Sequence, residues 1–500
     1  MKTENLFEGI PVRGALPAGE IPAIYSDSRR VTPGSLFVCL AGGRFDGHDF
    51  AADAVRHGAA AVLAERMPEG VDPGRVLLTD DTRRAESRLW HNLTGRAADG
   101  MLKIAVTGTA GKTSVAFLTA AILRAAGHRV GLVTTVRAEA DGVQIGLGDN
   151  GGSSVCDIPG AMTTPDPEYF FGAARQMKAS GCDALVYEAS SQSLILKKTS
   201  AITPDAAVFT NLTPEHLDAH GTMEAYFEAK ASLMRGVERA VVNLDDPWMA
   251  RLPGMFPDAR ILGCTAEGDP AAAITATRIE ERGTDGIAYL WQSPRAAFRV
   301  RCPLLGRYSV MNTMEAAAVC SLFGADPDEI REALSDFGGV PGRLERVPVP
   351  DPDAPAVFID YAHTPDALRQ AAGTLAAMGP LTLVFGCGGE RDRTKRPRMA
   401  EAAQQYARYV VVTEDNVRGE DLDAIFRDIL AGMDPAKPYA LIPDRREAIR
   451  HALGVTGKGG IVLLAGKGHE KIEIRADGRH SFDEAAVVGD FFRERGEQNT

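Results

Sequence analysis

TGTAGKTS, at residues 107–114, is a glycine-rich turn between the apolar run KIAV (103–106) and a stretch rich in alanine and leucine. A strand, a glycine-rich turn and a helix in this order are the context of a phosphate-binding loop, in which backbone N–H groups point at phosphate oxygens. The standard pattern GxxxxGK(S/T) has glycine where this chain has Val106. We expect this loop to bind a nucleoside triphosphate through Gly108, Thr109, Ala110, Gly111, Lys112, Thr113 and Ser114, with the Thr113 hydroxyl available to Mg²⁺.

The rest of the chain has the pattern of an α/β protein, because short apolar runs alternate with alanine-rich helical stretches. The last third contains four predicted strands, at 356–360, 381–385, 409–413 and 460–465, and the last two have the pattern of buried parallel strands. Loops that follow the carboxyl ends of such strands commonly form binding sites. At 500 residues the chain is long enough for about three domains. Polar and glycine-rich stretches near residues 100 and 338 place the predicted domains at 1–99, 100–337 and 338–500.

Composition narrows the possible partners. Lys and Arg number 55 and Asp and Glu 67, giving a formal net charge of −12, which is unfavourable for non-specific binding to nucleic acid or to an anionic membrane. No apolar run approaches the roughly 18 residues that span a bilayer, and MKTENLFEGIPV (1–12) lacks the pattern of a signal peptide. The seven cysteines include no CxxC pair. We therefore expect a cytoplasmic protein with neither nucleic-acid nor membrane partners.

Eight segments in order along the chain resemble the motifs of the Mur ligases, the ATP-dependent amide-forming enzymes of peptidoglycan precursor synthesis. One of them is the shortened phosphate-binding loop GTAGKTS (108–114). The others are DSRRVTPGSLFVCLAG (27–42), TTPDP (163–167), YEASSQ (187–192), NLTPEHLDAHGTMEAYFEAKASL (211–233), DYAHTPDAL (360–368), FGCGGERDRTKRP (385–397) and GKGHE (466–470). Within the family, the motifs are most similar to those of enzymes that join a diamino acid to UDP-N-acetylmuramoyl-L-alanyl-D-glutamate.

The resemblance implies a three-domain α/β fold with an N-terminal UDP-binding domain, a central P-loop ATPase domain with a mainly parallel sheet, and a C-terminal Rossmann-like domain that binds the amino acid. It also implies an ATP-dependent ligase that needs Mg²⁺ and acts as a monomer. Forming an amide from a carboxylate requires an activated acyl group, which ATP supplies if the carboxylate attacks its γ-phosphoryl group. Such a site needs a phosphate cradle, a divalent metal and cations near the developing negative charge.

The resemblance implies that catalysis depends on Lys112, Glu188, His216 and Lys230. Glu188 ends an apolar run and, like His216 and Thr113, is implied as a ligand of Mg²⁺. Lys230 is implied to be carbamylated by CO₂, so that the resulting carboxylate also binds the metal. Taken alone, Glu188 would be a solvated acid at a strand end, and Lys230 a solvated residue of a predicted helix. His216 and His220 have a spacing seen in zinc sites, but the glutamate of HExxH is missing.

Other site residues also follow from the resemblance. Implied contacts of ATP in the last two domains are Asn312, Arg343 and Asp360. Implied contacts of the UDP end are Ser26, Ser28, Gly43, Arg44 and Phe45, and those of the muramoyl-dipeptide are Thr163, Thr164, Ser190 and Lys198. Family members often carry Gln and Arg where this chain has Leu196 and Lys198, and a lysine keeps the charge but lacks the guanidinium fork.

The incoming amino acid is implied to contact Arg391, Asp415, Asn416, Val417, Arg418, Gly466 and Glu470. Family members that add meso-diaminopimelate carry DNPR, whereas this chain reads DNVR at 415–418. Arg418 suits the distal carboxylate of meso-diaminopimelate through a bidentate pair, and it would repel the side-chain ammonium of lysine. We therefore expect UDP-N-acetylmuramoyl-L-Ala-D-Glu and meso-diaminopimelate as substrates, although Val417 leaves the backbone freer than proline would.

Alternative functions exist both within this family and outside it. Within the family these are the L-lysine-adding enzyme, a D-alanyl-D-alanine-adding enzyme and a folylpolyglutamate synthase, and DNVR followed by GKGHE argues against the last two. Outside it, a P-loop NTPase that switches a partner would need no amino-acid pocket. A catalytically inactive binding protein would not need to keep Lys112, Glu188, His216 and Lys230 together.

Overall fold

The computed structural model describes residues 1–43, 45–146, 163–215, 217–349, 351 and 353–498. Its contacts divide into two compact units. The first comprises residues 1–275 with 314–330, and the second 276–313 with 331–500. The domain boundaries predicted above stay predictions, and the two units are described separately below.

In the first unit, short helices and strands alternate up to residue 265. Its helices are α1 (Thr3–Leu6), α2 (Ala51–Arg56), α3 (Thr82–Leu93), α4 (Lys112–Ala125), α5 (Pro167–Ala179), α6 (Ser191–Ile195), α7 (Leu217–His220), α8 (Met223–Ala231) and α9 (Leu252–Met255). Its strands are β1 (Ile24–Tyr25), β2 (Leu36–Val38), β3 (Ala61–Ala64), β4 (Val76–Leu78), β5 (Leu102–Thr107), β6 (Val130–Val133), β7 (Ala138–Ala140), β8 (Val143–Gln144), β9 (Ala184–Glu188), β10 (Ala206–Phe209), β11 (Arg239–Asn243) and β12 (Arg260–Thr265).

The chain then continues through β13 (Ile274–Glu281), β14 (Ile287–Gln292), β15 (Ala297–Cys302), α10 (Tyr308–Ser321) and α11 (Pro327–Ser335). The remaining strands are β16 (Glu345–Val347), β17 (Ala356–Asp360), β18 (Leu381–Phe385), β19 (Tyr409–Val412), β20 (Tyr439–Leu441), β21 (Ile461–Ala465), β22 (Ile472–Arg475) and β23 (Gly478–Ser481). The remaining helices are α12 (Pro365–Ala376), α13 (Lys395–Tyr406), α14 (Leu422–Leu430), α15 (Arg445–Val455) and α16 (Glu484–Gln498). No described helix is both long and apolar enough to cross a membrane.

The strands of the first unit belong to two sheets. β1 to β4 pair in order as a small parallel sheet. In the larger sheet, β5 lies between β10 and β9, and all three run parallel. Val106 is in register with both Val208 and Glu188, so the carboxyl ends of these three strands meet at one edge. The loop after β5, the end of β9 and the start of the segment after β10 therefore lie side by side, as the rule for parallel sheets requires.

The second unit contains a six-stranded sheet in the order β16-β17-β21-β18-β19-β20, parallel except for the pair β16–β17. Apolar residues of α12, α13 and α14 pack on one face, and those of α15 and α16 on the other. The predicted strands 356–360 and 381–385 match β17 and β18, and the other two predictions are one residue too long. The prediction of an α/β protein built on parallel strands is confirmed.

Glu315 on α10 is a buried carboxyl group inside the first unit. Its two oxygens are buried without a hydrogen-bond partner among the residues that the structure describes. Burial raises the pKa of Glu315 well above its ordinary value of 4.5, and the nearby Asp246 and Asp245 carboxylates raise it further. The protonated form is therefore favoured in the folded chain, and ionisation at this position opposes folding.

We expect Glu315→Met to raise the free energy of unfolding by about 1–3 kcal/mol near neutral pH, because it removes an unsatisfied buried polar group without leaving a cavity. The unfolded chain loses this proton near pH 4.5 and the folded chain only at higher pH, so the penalty is absent below pH 4.5 and grows as the pH rises. The gain from the substitution should consequently be larger at pH 8 than at pH 5. Urea unfolding at the two pH values measures it.

Glu332→Met is the matched control, since Glu332 is exposed on the following helix α11. Its effect on unfolding should be small and independent of pH over this range. Equal gains from Glu315→Met at pH 5 and pH 8 would show that Glu315 is not a buried neutral acid.

Candidate active site

The phosphate-binding loop has the geometry that its sequence predicts. β5 ends at Thr107 and α4 begins at Lys112. Gly108 has a φ of +149°, and a Cβ there would collide with the Thr210 hydroxyl, so only glycine fits. The backbone of Ala110 is held by the segment that follows β10. Its N–H donates to Asn211 Oδ1 at 2.9 Å, and its carbonyl accepts from Thr210 Oγ1 at 2.6 Å. Contacts within the protein therefore fix the shape of the loop.

The Lys112 ammonium folds back over this loop. Its Nζ donates to the carbonyl oxygens of Gly108 at 3.0 Å and Thr109 at 2.8 Å. These two carbonyls hold the Lys112 ammonium against the turn, which is where phosphate oxygens bind in loops of this kind.

Glu188 lies at the carboxyl end of β9 and is only 1% exposed. Its Oε1 accepts hydrogen bonds from the Thr113 hydroxyl at 2.8 Å and from the N–H of Thr135 at 2.9 Å. Glu188 is therefore a buried acid beside the phosphate loop, and not the solvated strand-end acid that its sequence alone would suggest. Thr135, in the segment after β6, was not singled out from the sequence, and only its position after a strand end could have indicated it.

A carboxylate and a hydroxyl are oxygen ligands of the kind that Mg²⁺ prefers, so Glu188 and Thr113 fit this metal. Within the described part of the chain, no group of three or more His, Cys, Asp or Glu side chains could hold a metal ion. Magnesium at nucleotide sites is usually held by one or two carboxylates together with substrate phosphates, so the fit does not need such a group. His216, implied as a third ligand, lies outside the described residues.

Lys230 is buried, with 1% of its surface exposed, although it sits near the end of the short helix α8. Its Nζ donates to the carbonyl oxygen of Gly108 at 2.7 Å and lies 4.8 Å from the centre of the Tyr226 ring. Burial lowers the pKa of Lys230 well below its ordinary value, the nearby Lys112 charge lowers it further, and Glu215 opposes this shift. The side chain therefore lies against the phosphate loop and not in solvent.

The predicted dipeptide contacts meet beside Glu188. The Thr164 hydroxyl donates to the carbonyl of Glu188 at 2.8 Å and accepts from the N–H of Ser190 at 3.1 Å. Lys198 is buried, donates to the Thr164 carbonyl at 3.1 Å and forms an ion pair with Asp166 at 2.8 Å. Lys198 thus supports the segment that contains Thr164. Thr163 is adjacent in the chain and half-buried.

The predicted contacts of the UDP end lie in the small sheet's loops. Ser26 and Ser28 follow β1, and Ser26 is exposed. Gly43 is exposed, and Phe45 presents 73% of its surface to solvent with its ring edge-on to Phe50. Arg44 lies outside the described residues. An exposed aromatic ring on such a loop is available to stack on a base.

In the second unit, the predicted ATP contacts Arg343 and Asp360 are neighbours. Oδ2 of Asp360 accepts from the N–H of Leu344 at 2.7 Å, and the Arg343 guanidinium lies 4.8 Å from the centre of the Tyr361 ring. Burial raises the pKa of Asp360, against the opposing charge of Arg343. Asn312, the third of these predicted contacts, is buried on α10.

The predicted amino-acid contacts lie in loops after β18, β19 and β21. Asn416 is central, because its Nδ2 donates to Glu470 Oε2 at 2.8 Å and its Oδ1 accepts from Lys467 Nζ at 3.1 Å. Lys467 was not singled out from the sequence, although it lies within the GKGHE motif. Gly466 has a φ of +116°, and a Cβ there would lie 2.6 Å from Asp415 Oδ2. The acidic group of Asp415 is thus packed directly against the glycine.

Arg418 is held in place without the proline that the family pattern carries. Its N–H donates to the Ile474 carbonyl at 2.9 Å, and its Nη1 donates to the Gly389 carbonyl at 2.8 Å. Val417 packs on the apolar core of this unit. Burial lowers the pKa of Arg418, and the charge of the exposed Arg391 lowers it further. A guanidinium group held in this way is suited to binding a carboxylate.

Comparison with known proteins identifies the Mur ligases, the family that the sequence motifs resemble. Three family models match: the catalytic domain of the Mur ligase family over residues 20–76, the Mur ligase middle domain over 106–320, and the Mur ligase glutamate ligase domain over 342–468. The UDP-N-acetylmuramoyl-L-alanyl-D-glutamate–2,6-diaminopimelate ligase of Chlorobaculum tepidum is 40% identical over 489 residues, covering 94% of this chain and 92% of that protein. The ligase of the same name from Syntrophomonas wolfei is 38% identical over 486 residues, covering 95% of each.

Solved structures agree with this. A structure of a UDP-N-acetylmuramoyl-L-alanyl-D-glutamate–2,6-diaminopimelate ligase has a TM-score of 0.68 and 30% identity, and the match covers 99% of both chains. The MurF ligase from Thermotoga maritima in complex with ADP has a TM-score of 0.61 at 19% identity, covering 96% of this chain and 98% of that one, which shows a shared fold. The predicted resemblance is confirmed, and the chain belongs to the Mur ligase family.

Proposed function

We propose that this protein is an ATP-dependent ligase that adds meso-2,6-diaminopimelate to UDP-N-acetylmuramoyl-L-alanyl-D-glutamate in peptidoglycan precursor synthesis. The names of its full-length relatives support this activity. The observation that carries the amino-acid assignment is that Arg418 is held by the Gly389 and Ile474 carbonyls, beside Asn416, which contacts the acidic group of Glu470. Meso-diaminopimelate has two ammonium and two carboxylate groups, so it needs a pocket with both signs of charge, whereas lysine has no distal carboxylate for Arg418.

The reaction joins two steps. The carboxylate of the UDP-linked dipeptide attacks the γ-phosphorus of ATP, an acyl phosphate forms and ADP leaves. The amine of the second substrate then attacks the acyl carbon, loses a proton and displaces phosphate. Lys112 and the backbone N–H groups at the start of α4 stabilise the charge on the phosphate oxygens, since a preorganised cradle is most effective where charge develops.

We propose that Mg²⁺ is held by Thr113, Glu188, His216 and a carbamylated Lys230. The metal would neutralise charge on the nucleotide phosphates during transfer. Carbamylation requires a neutral amine, and the burial of Lys230 next to the Lys112 charge favours that form. The carbamate would convert a cation at the phosphate loop into an anion on a long stem.

The small sheet's loops are proposed to bind the UDP end, through Ser26, Ser28, Gly43, Arg44 and Phe45. Thr163, Thr164, Ser190 and Lys198 are proposed to bind the muramoyl-dipeptide. Lys198 acts there mainly by fixing Thr164, given its ion pair with Asp166. We further propose that the enzyme is a cytoplasmic monomer. The six described cysteines are all buried thiols, which suits a reducing compartment.

ADP release by the purified protein tests this function. We expect release only when the UDP-linked dipeptide and an amino acid are both present, with kcat/KM for meso-diaminopimelate at least about a hundredfold above that for L-lysine. ADP release without either substrate would instead indicate an NTPase switch. A higher kcat/KM for L-lysine would identify the lysine-adding enzyme of the family.

A further inference from the structure

Arg445, the first residue of α15, is a fully buried cation below the amino-acid loops of the second unit. Its Nη1 donates to the carbonyl of Glu414 at 3.1 Å, and its Nη2 donates to the carbonyl of Ala465 at 2.8 Å. The third direction of the guanidinium is filled by Glu484, whose Oε1 accepts from Nε at 2.9 Å. Each of the three guanidinium nitrogens therefore donates a hydrogen bond inside the protein.

The two carbonyls that Arg445 binds adjoin different loops. Glu414 immediately precedes Asp415, and Ala465 immediately precedes Gly466. The strands before these loops, β19 and β21, are not neighbours in the sheet, because β18 lies between them. No ladder hydrogen bond can therefore set the distance between the two loops directly, whereas the fork of Arg445 bridges them.

This spacing matters where the two loops touch. Asp415 Oδ2 lies so close to Gly466 that a Cβ on the glycine would stand 2.6 Å from it. Asn416 of one loop donates to Glu470 of the other at 2.8 Å. A small shift of either loop would separate these groups, and a displacement of about 1 Å in a site can cost roughly a hundredfold in rate.

The buried ion pair of Arg445 and Glu484 is not explained by stability alone. A buried ion pair loses the hydration of both charges, and apolar residues of similar volume are often as stable. Glu484 Oε2 has no hydrogen-bond partner within the described part of the chain, so the pair is not fully satisfied. The distinctive property of Arg445 is its rigid guanidinium fork, which a lysine does not have.

We propose that Arg445 is a positioning residue that sets the spacing between loops 415–418 and 466–470 and thereby the affinity for the incoming amino acid. It touches no substrate and acts through Asp415, Asn416 and Glu470. The inference rests on the proposed function only in taking these residues as the amino-acid site.

Arg445→Lys tests the proposal, since it keeps the charge and removes the fork. We expect the KM for meso-diaminopimelate to rise about tenfold or more, with the KM for ATP and for the UDP-linked dipeptide within about twofold of the wild type. The control is Arg446→Lys, at the exposed neighbouring position, which should leave all three KM values unchanged. An unchanged KM for the amino acid, or equal rises in all three KM values, would overturn the proposal.

Glu484→Gln provides a second variant if Arg445→Lys does not fold. It keeps Arg445 but weakens the contact that orients the guanidinium, and we expect a smaller rise, about threefold to tenfold, in the KM for meso-diaminopimelate alone. A KM for meso-diaminopimelate equal to that of the wild type would contradict the positioning role. Wild-type protein without turnover of meso-diaminopimelate would instead reject the proposed substrate, and the same comparison would then be made with L-lysine.

Discussion

Replacing Lys230 by alanine is expected to lower kcat by at least roughly a thousandfold, about 4 kcal/mol of transition-state stabilisation. The substitution removes the only proposed metal ligand that reaches the site from α8, and with it the hydrogen bond from Nζ to the Gly108 carbonyl. Formate, acetate or propionate should restore part of the activity, because a small carboxylate can occupy the place of the missing carbamate. Steady-state ADP release with and without the acids measures both effects.

Lys178→Ala is the control for this prediction, since Lys178 is an exposed lysine near the end of α5 in the same unit. It should have wild-type activity and no response to carboxylic acids. Mass spectrometry of the wild-type protein should also find a CO₂ adduct on Lys230 when bicarbonate is present. Full activity of Lys230→Ala without additives would refute the role of this lysine.

Much of the local structure could be predicted because it is encoded in short stretches. The apolar run at 103–106 and the glycines of the next segment determine a strand, a turn and a helix, and the structure contains β5 and α4 on either side of the loop. Glu188 was expected at a strand tip because an apolar run ends there, and β9 does end at Glu188. These features depend on patterns a few residues long.

The contacts across the site could not be predicted from such patterns. Lys230 and Gly108 are 122 residues apart in the chain, and what brings them together is the order of strands in the sheet. On periodicity alone, Lys230 belongs to a helix surface, where lysine is normally solvated. Its burial follows from the packing of α8 near the phosphate loop, which the resemblance implied and the residues themselves did not.

Lys198 shows a similar limit. The family pattern assigns this position to the substrate, whereas the structure pairs the side chain with Asp166 and the Thr164 carbonyl. The burial of Arg445 could not be predicted either, because an arginine at the start of a helix normally lies in solvent. Its hydrogen bonds to one carbonyl after β19 and to another at the end of β21 show what it holds.

Arg418→Ala is expected to reduce kcat/KM for meso-diaminopimelate by roughly a hundredfold to a thousandfold, because it removes a charge-assisted contact to the distal carboxylate and opens the loop that the guanidinium holds. Arg418 has a φ of +54°, so every variant except glycine shares the same backbone strain, and the comparison between side chains is fair. Arg418→Lys should fall between alanine and wild type, since it keeps the charge without the fork. Competition between meso-diaminopimelate and L-lysine measures the change.

The control for Arg418 is Arg427→Ala, an exposed arginine on α14, which should leave kcat/KM unchanged for both amino acids. The ratio of the two kcat/KM values is the decisive quantity, because damage to the fold lowers both values together, whereas loss of a specific carboxylate contact lowers only the value for meso-diaminopimelate. Arg418→Ala should therefore bring the ratio towards one. A ratio that stays at the wild-type value would show that Arg418 supports the loop and does not read the substrate, and selectivity would then depend on Arg391.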